Sequence, residues 1–66
     1  MINTLTKGKH YRIDKDVKDA AWRSLGIFRG ADITIERLYR TVAVIRTDSG
    51  RVAIDRDTLE DLLDAS

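Results

Sequence analysis

The stretch WRSLGIFRGADITIE, residues 22–36, constrains the chain more than any other. It places two of the chain's four glycines only four residues apart. Upstream, Val17, Ala20, Ala21, Ser24 and Leu25 recur at helical spacing, with Trp22 flanking the stripe. Gly26 then stands where a helix ends in a left-handed residue, which glycine adopts without a Cβ clash. Ile27 stands where an apolar residue packs back on the last turn. Phe28-Arg29-Gly30-Ala31 reads as a turn with positive φ at Gly30. Beyond it, Ile33 and Ile35 alternate with Asp32, Thr34 and Glu36, the pattern of a half-buried strand over residues 31–37. The two glycines let the chain leave a helix, turn sharply and enter a strand within a few residues.

The remaining segments are read from the same rules. Tyr11-Arg12-Ile13 predicts a short strand over residues 10–14. Asp14 and Asp16 are expected to cap the following helix. Leu38 breaks the alternation of the second strand, which places a bend or bulge near residues 37–40. Thr41 to Thr47 is rich in β-branched residues, Asp48-Ser49-Gly50 is a turn signal, and Arg51-Val52-Ala53-Ile54 is the return strand of a hairpin. Asp57 with Glu60 three residues on resembles a capping box, and Leu59, Leu62 and Leu63 form a helical stripe. A helix of about eight residues does not persist alone in water, so these leucines are expected to dock on the sheet. On that expectation Leu62→Ala costs about 2–5 kcal/mol.

The order is strand, helix, strand, hairpin, short helix, in 66 residues without a proline. Strands this short curl to resolve their edges. The expected fold is mainly β (α+β): a small SH3-like, partly open barrel with an inserted N-terminal helix and a short C-terminal helix. Residues 1–9 are expected as a flexible lead-in and residues 10–66 as one domain.

Composition narrows the chemistry. The chain has no cysteine, hence no disulfide and no thiolate metal site, which suits the cytoplasm. No apolar run approaches the ~20 residues that span a bilayer, and the first residues lack the pattern of a signal peptide. A cytoplasmic protein without direct membrane insertion is expected. His10 is the single histidine and is read as a surface residue. Gly26 and Gly30 lack the Lys and Ser/Thr of a phosphate loop. Asp14, Asp16 and Asp19 lack the glycine and terminal Glu of a calcium loop. No catalytic residue, cofactor or metal ligand is therefore expected. The net charge is only +1, but Arg37, Arg40, Arg46 and Arg51 face a single acid in residues 37–51, while the last residues are acidic. Trp22 is expected at or near the core and Tyr39 in solvent.

The segment RSLGIFRGADITIERL resembles the signature of the ferrous-iron transport protein A family and of the related C-terminal domain of iron-dependent repressors. Leu25, Gly26, Ile27, Gly30, Ile33 and Ile35 carry the resemblance. A hairpin closing in RVAID and the short helix DTLEDLL continue it, so that it covers roughly residues 10–63. Arg29 stands where the family has a proline before the second glycine, and RLYRT replaces a longer middle loop. The resemblance implies a small cytosolic, non-enzymatic accessory protein of bacterial ferrous-iron transport and iron homeostasis. Such a protein would act by protein–protein contact with the membrane ferrous-iron transporter. Candidate contact residues are Arg37, Tyr39, Arg40, Arg46 and Arg51, since arginine and tyrosine supply charge-assisted bonds and rigid area. The alternative reading is a small-barrel nucleic-acid-binding protein, with Tyr39 stacking among phosphate-tracking arginines. A net charge of +1 is weak for that role. A third is a homo-oligomer formed by pairing of a barrel edge.

Overall fold

A computed structural model describes residues 5–63; residues 1–4 of the expected lead-in and 64–66 of the expected domain end lie outside it. The β-branched run and its neighbours form one antiparallel meander. Its strands are β1 (His10–Arg12), β2 (Asp32–Leu38), β3 (Val42–Thr47) and β4 (Gly50–Asp55). They lie in the order β1-β2-β3-β4, every pair antiparallel, so β1 and β4 are the edges of an open sheet. Helix α1 (Ala20–Ser24) is inserted between β1 and β2, and α2 (Arg56–Leu62) follows β4 directly. The fold is thus mainly β with two short helices.

One sheet face builds the core. Ile33, Ile35, Ala43, Ile45, Val52 and Ile54 are buried on it, together with Ile13, Val17, Ile27 and Ala31 from the connections. Leu59 and Leu63 close this core with no exposed surface, as α2 packs against β3 and β4. Leu62 is only half-buried, so the docking leucines are Leu59 and Leu63 rather than the whole stripe.

Leu38 owes its place to a bulge. Ile35 pairs with Ile45, but Arg37, not Glu36, pairs with Val44. The extra residue resets the two-residue period, which returns Leu38 to the core side opposite Ala43. The irregularity lies one residue ahead of the expected 37–40 window.

The helix ending at Gly26 follows expectation closely. Gly26 N–H donates to the Arg23 carbonyl (3.1 Å) and Ile27 N–H to the Trp22 carbonyl (3.0 Å), the paired bonds of a Schellman end. Gly26 and Gly30 have φ of 88° and 89°. Ile27 is fully buried and Trp22 is half-buried against the core.

The helix beginnings differ from expectation. Neither Asp14 nor Asp16 caps α1; Asp19 does, its Oδ1 accepting from Ala21 N–H at 2.8 Å. The reason is tertiary. Ile13 N–H donates to the Ala31 carbonyl and Asp14 N–H to the Leu62 carbonyl, both at 2.9 Å, and Val17 is buried. The backbone is committed to β2 and α2 until Val17 is seated, so only five residues remain for the helix. Ala20, Ala21, Ser24 and Leu25, expected as its inner stripe, are exposed. At α2, Asp55 rather than Asp57 occupies the N-cap and makes no side-chain cap bond. The helix start is held instead by Arg56 N–H on the Thr41 carbonyl (2.9 Å). The β3–β4 turn is Asp48-Ser49 alone, because Gly50 already pairs with Thr47.

The strand expected at 10–14 is confined to His10–Arg12. The segment before it is packed: Leu5 is 3% exposed, and Gly8 N–H donates to the Ile35 carbonyl at 2.7 Å.

Candidate functional site

Side chains opposite the core form the other face of the sheet. The registers His10↔Thr34, Thr34↔Arg46 and Arg46↔Arg51 make one row across all four strands. His10 Nδ1 and Thr34 Oγ1 lie 2.8 Å apart at the β1 end of this row.

The bulge delivers a carboxylate to the row. Glu36 Oε2 lies 2.6 Å from Arg46 Nε, and its Oε1 lies 2.8 Å from Arg51 Nε. One acid thus orients two guanidinium groups of adjacent strands and leaves a positive charge in excess. Arg37 opposes Val44, which lies between the core-facing Ala43 and Ile45, and so it sits on the same outer face. Lys7 and Arg37 line a shallow depression there with Thr34, Glu36 and Arg51.

Of the five residues expected as a contact surface, the structure unites Arg37, Arg46 and Arg51. It separates Tyr39 and Arg40, which occupy the β2–β3 turn. Tyr39 N–H donates to the Val42 carbonyl (2.8 Å), and its own carbonyl accepts from Arg56 Nη1 (2.9 Å). Tyr39 is 54% exposed, as its position off the alternation implies. Val42 beside this turn and Arg46 are four positions apart on β3, roughly 13 Å of strand. Arg40 instead borders Asp57 and Glu60 of α2. Tyr39 thus stands at the turn end of the sheet, two residues beyond Arg37 and away from the Arg46–Arg51 pair.

Glu36, His10 and Lys7 belong to this face and were not singled out as contacts from sequence. The basic start of the chain was visible, but its register on β2 was not. Elsewhere, Phe28 is exposed in a groove formed with Val17, Ala20, Arg23 and Arg29. Among the described residues, no three His, Cys, Asp or Glu side chains gather to hold a metal, and no helix is long and apolar enough to cross a membrane. Chemically, the outer face offers oriented cationic donors to an anionic partner surface. The chain matches no family model, no curated protein and no solved structure.

Proposed function

We propose that this chain is a non-enzymatic interaction module, an SH3-like small barrel that serves bacterial ferrous-iron transport by docking on the membrane transporter from the cytoplasm. The element order and the glycine-punctuated stretch from Leu25 to Ile35 support the family reading. One observation carries the interaction reading: Glu36 holds Arg46 and Arg51 on the outer sheet face, where Arg37 also lies. Guanidinium groups held in place lose less freedom on binding, so their charge-assisted bonds favour an acidic partner surface.

The test is recovery of the transporter by the tagged protein from solubilised host membranes, with and without nuclease, alongside an Arg37→Glu/Arg46→Glu variant of unchanged melting temperature. The transporter is expected with the wild type under both conditions and not with the variant. Equal recovery by both proteins would reject this face. Recovery only of nucleic acid, removed by nuclease, would replace the reading with nucleic-acid binding.

A further inference from the structure

The two edges of the sheet are unlike. β1 is three residues long, whereas β4 has six and pairs with β3 without interruption from Val42↔Asp55 to Thr47↔Gly50. β4 contains no bulge or proline to blunt its edge, and its two charged residues, Arg51 and Asp55, are of opposite sign.

Two hydrogen bonds identify the backbone groups that face outward. Tyr39 N–H donates to the Val42 carbonyl, so Val42 faces β2; Arg56 N–H donates to the Thr41 carbonyl, so Thr41 faces the β4 side. Successive residues of an antiparallel strand direct their N–H and C=O groups to opposite sides. Ala43, Ile45 and Thr47 therefore face β4 and bond to Ile54, Val52 and Gly50. Arg51 and Ala53 direct their N–H and C=O groups away from the sheet, and Asp55 its N–H, while the Asp55 carbonyl is taken into the first turn of α2 as its N-cap. All three residues are exposed, and among the described residues these outward groups have no turn or loop partner.

We propose that β4 pairs antiparallel with β4 of a second copy of this chain, about a two-fold axis through Ala53. Directly opposed residues must project to the same face. This excludes registers that set a core-facing residue such as Val52 against an outward one such as Ala53. Among the registers that remain, centring on Arg51 sets that arginine against itself, a repulsive pair. Centring on Val52 sets Arg51 against Ala53 and leaves no ion pair, and centring on Ile54 runs the ladder into α2. Centring on Ala53 uses residues 51–55 and sets Arg51 of each copy against the second copy's Asp55. The outward groups then exchange about four backbone hydrogen bonds, two between the Ala53 residues and two from Asp55 N–H to the Arg51 carbonyl. Val52 and Ile54 continue the apolar face across the junction. Arg51 keeps its Nε on Glu36, and the guanidinium has further donors for the opposing carboxylate. A single strand pair is a small interface, so the dimer is concentration-dependent.

The experiment is sedimentation velocity of the purified full chain over a wide concentration range, at low salt. The wild type is expected to move from monomer to dimer as concentration rises. Ala53→Pro removes an N–H that faces away from β3, so the hairpin keeps its bonds while the dimer is lost. Arg51→Asp and Asp55→Arg place like charges opposite each other in either homodimer and are each expected to remain monomeric. Mixed together they set opposite charges face to face at both positions and are expected to recover the dimer. Melting curves of each variant establish that it is folded; the charge-reversal pair retains the test if Ala53→Pro is not. A wild type that is monomeric throughout would overturn the proposal. So would a dimer that survives Ala53→Pro in folded protein, or charge variants that do not complement each other.

Discussion

Thr47 Oγ1 lies 2.6 Å from the carbonyl oxygen of Leu25, a residue 22 positions earlier in the chain. The bond joins the end of α1 to the β3–β4 turn. Carbonyls at a helix end lack intrahelical partners. Thr47 donates to that of Leu25, and Ser49 Oγ lies 3.4 Å from that of Ser24. Thr47 also accepts from Ser49 N–H at 3.1 Å, so one buried hydroxyl ties the turn to the helix.

Thr47→Val keeps the shape of the side chain and removes the hydroxyl. It strands a part-buried carbonyl and should cost about 1–3 kcal/mol. At roughly 4–8 °C per kcal/mol for a domain of this size, the loss is readable in a thermal melt. Thr47→Ser, which retains the hydroxyl, should recover much of it. Equal losses in the two variants would place the effect in packing instead.

The same contact separates the two glycines that punctuate the chain. A Cβ at Gly26 would lie 2.7 Å from Thr47 Oγ1 and 2.9 Å from its Cβ, whereas one at Gly30 meets nothing within 4 Å. Both positions have left-handed φ, so alanine costs about 1–2 kcal/mol of backbone strain at each. Gly26→Ala should be the more destabilising of the two, because the turn must also move. Urea unfolding midpoints compare them directly.

Leu59→Ala should cost about 2–5 kcal/mol, since Leu59 is wholly buried beneath α2. Leu62→Ala should cost less, because that side chain is only half-buried. Denaturation midpoints in the reverse order would contradict the placement of the helix.

Leu5→Ala should also destabilise by about 2–5 kcal/mol, as Leu5 belongs to the core although it precedes every strand. An unchanged melting temperature would return the segment before His10 to the status of a lead-in.

Glu36→Gln should change stability by no more than about 1 kcal/mol, because Arg46 and Arg51 are largely exposed and water screens both pairs. The difference from wild type should shrink further in high salt. A loss well beyond this in a thermal melt would assign Glu36 a role in the bulge itself.

The sequence by itself determined the elements and their order. Left-handed glycines, the alternation of Ile33 with Ile35, the β-branched run of β3 and the leucines after Asp57 are local patterns, and each is enforced by backbone sterics or periodic burial over a few residues. Leu38, out of phase with Ile35, announced the bulge for the same reason. Tertiary structure decided where the helices begin. The N–H of Asp14 is taken by the Leu62 carbonyl, and Arg56 by that of Thr41, partners tens of residues or a full hairpin away. It also decided the composition of the outer face. Arg37, Tyr39, Arg40, Arg46 and Arg51 read as one basic segment along the chain, but strand register gathers the first, fourth and fifth on the outer face and leaves Tyr39 and Arg40 at the β2–β3 turn. Antiparallel pairing brings Arg46 and Arg51 side by side and places Glu36 between them, while the β2–β3 turn carries Tyr39 to the far end. Register follows from which apolar face is buried, a property of the whole sheet that no short window of sequence contains.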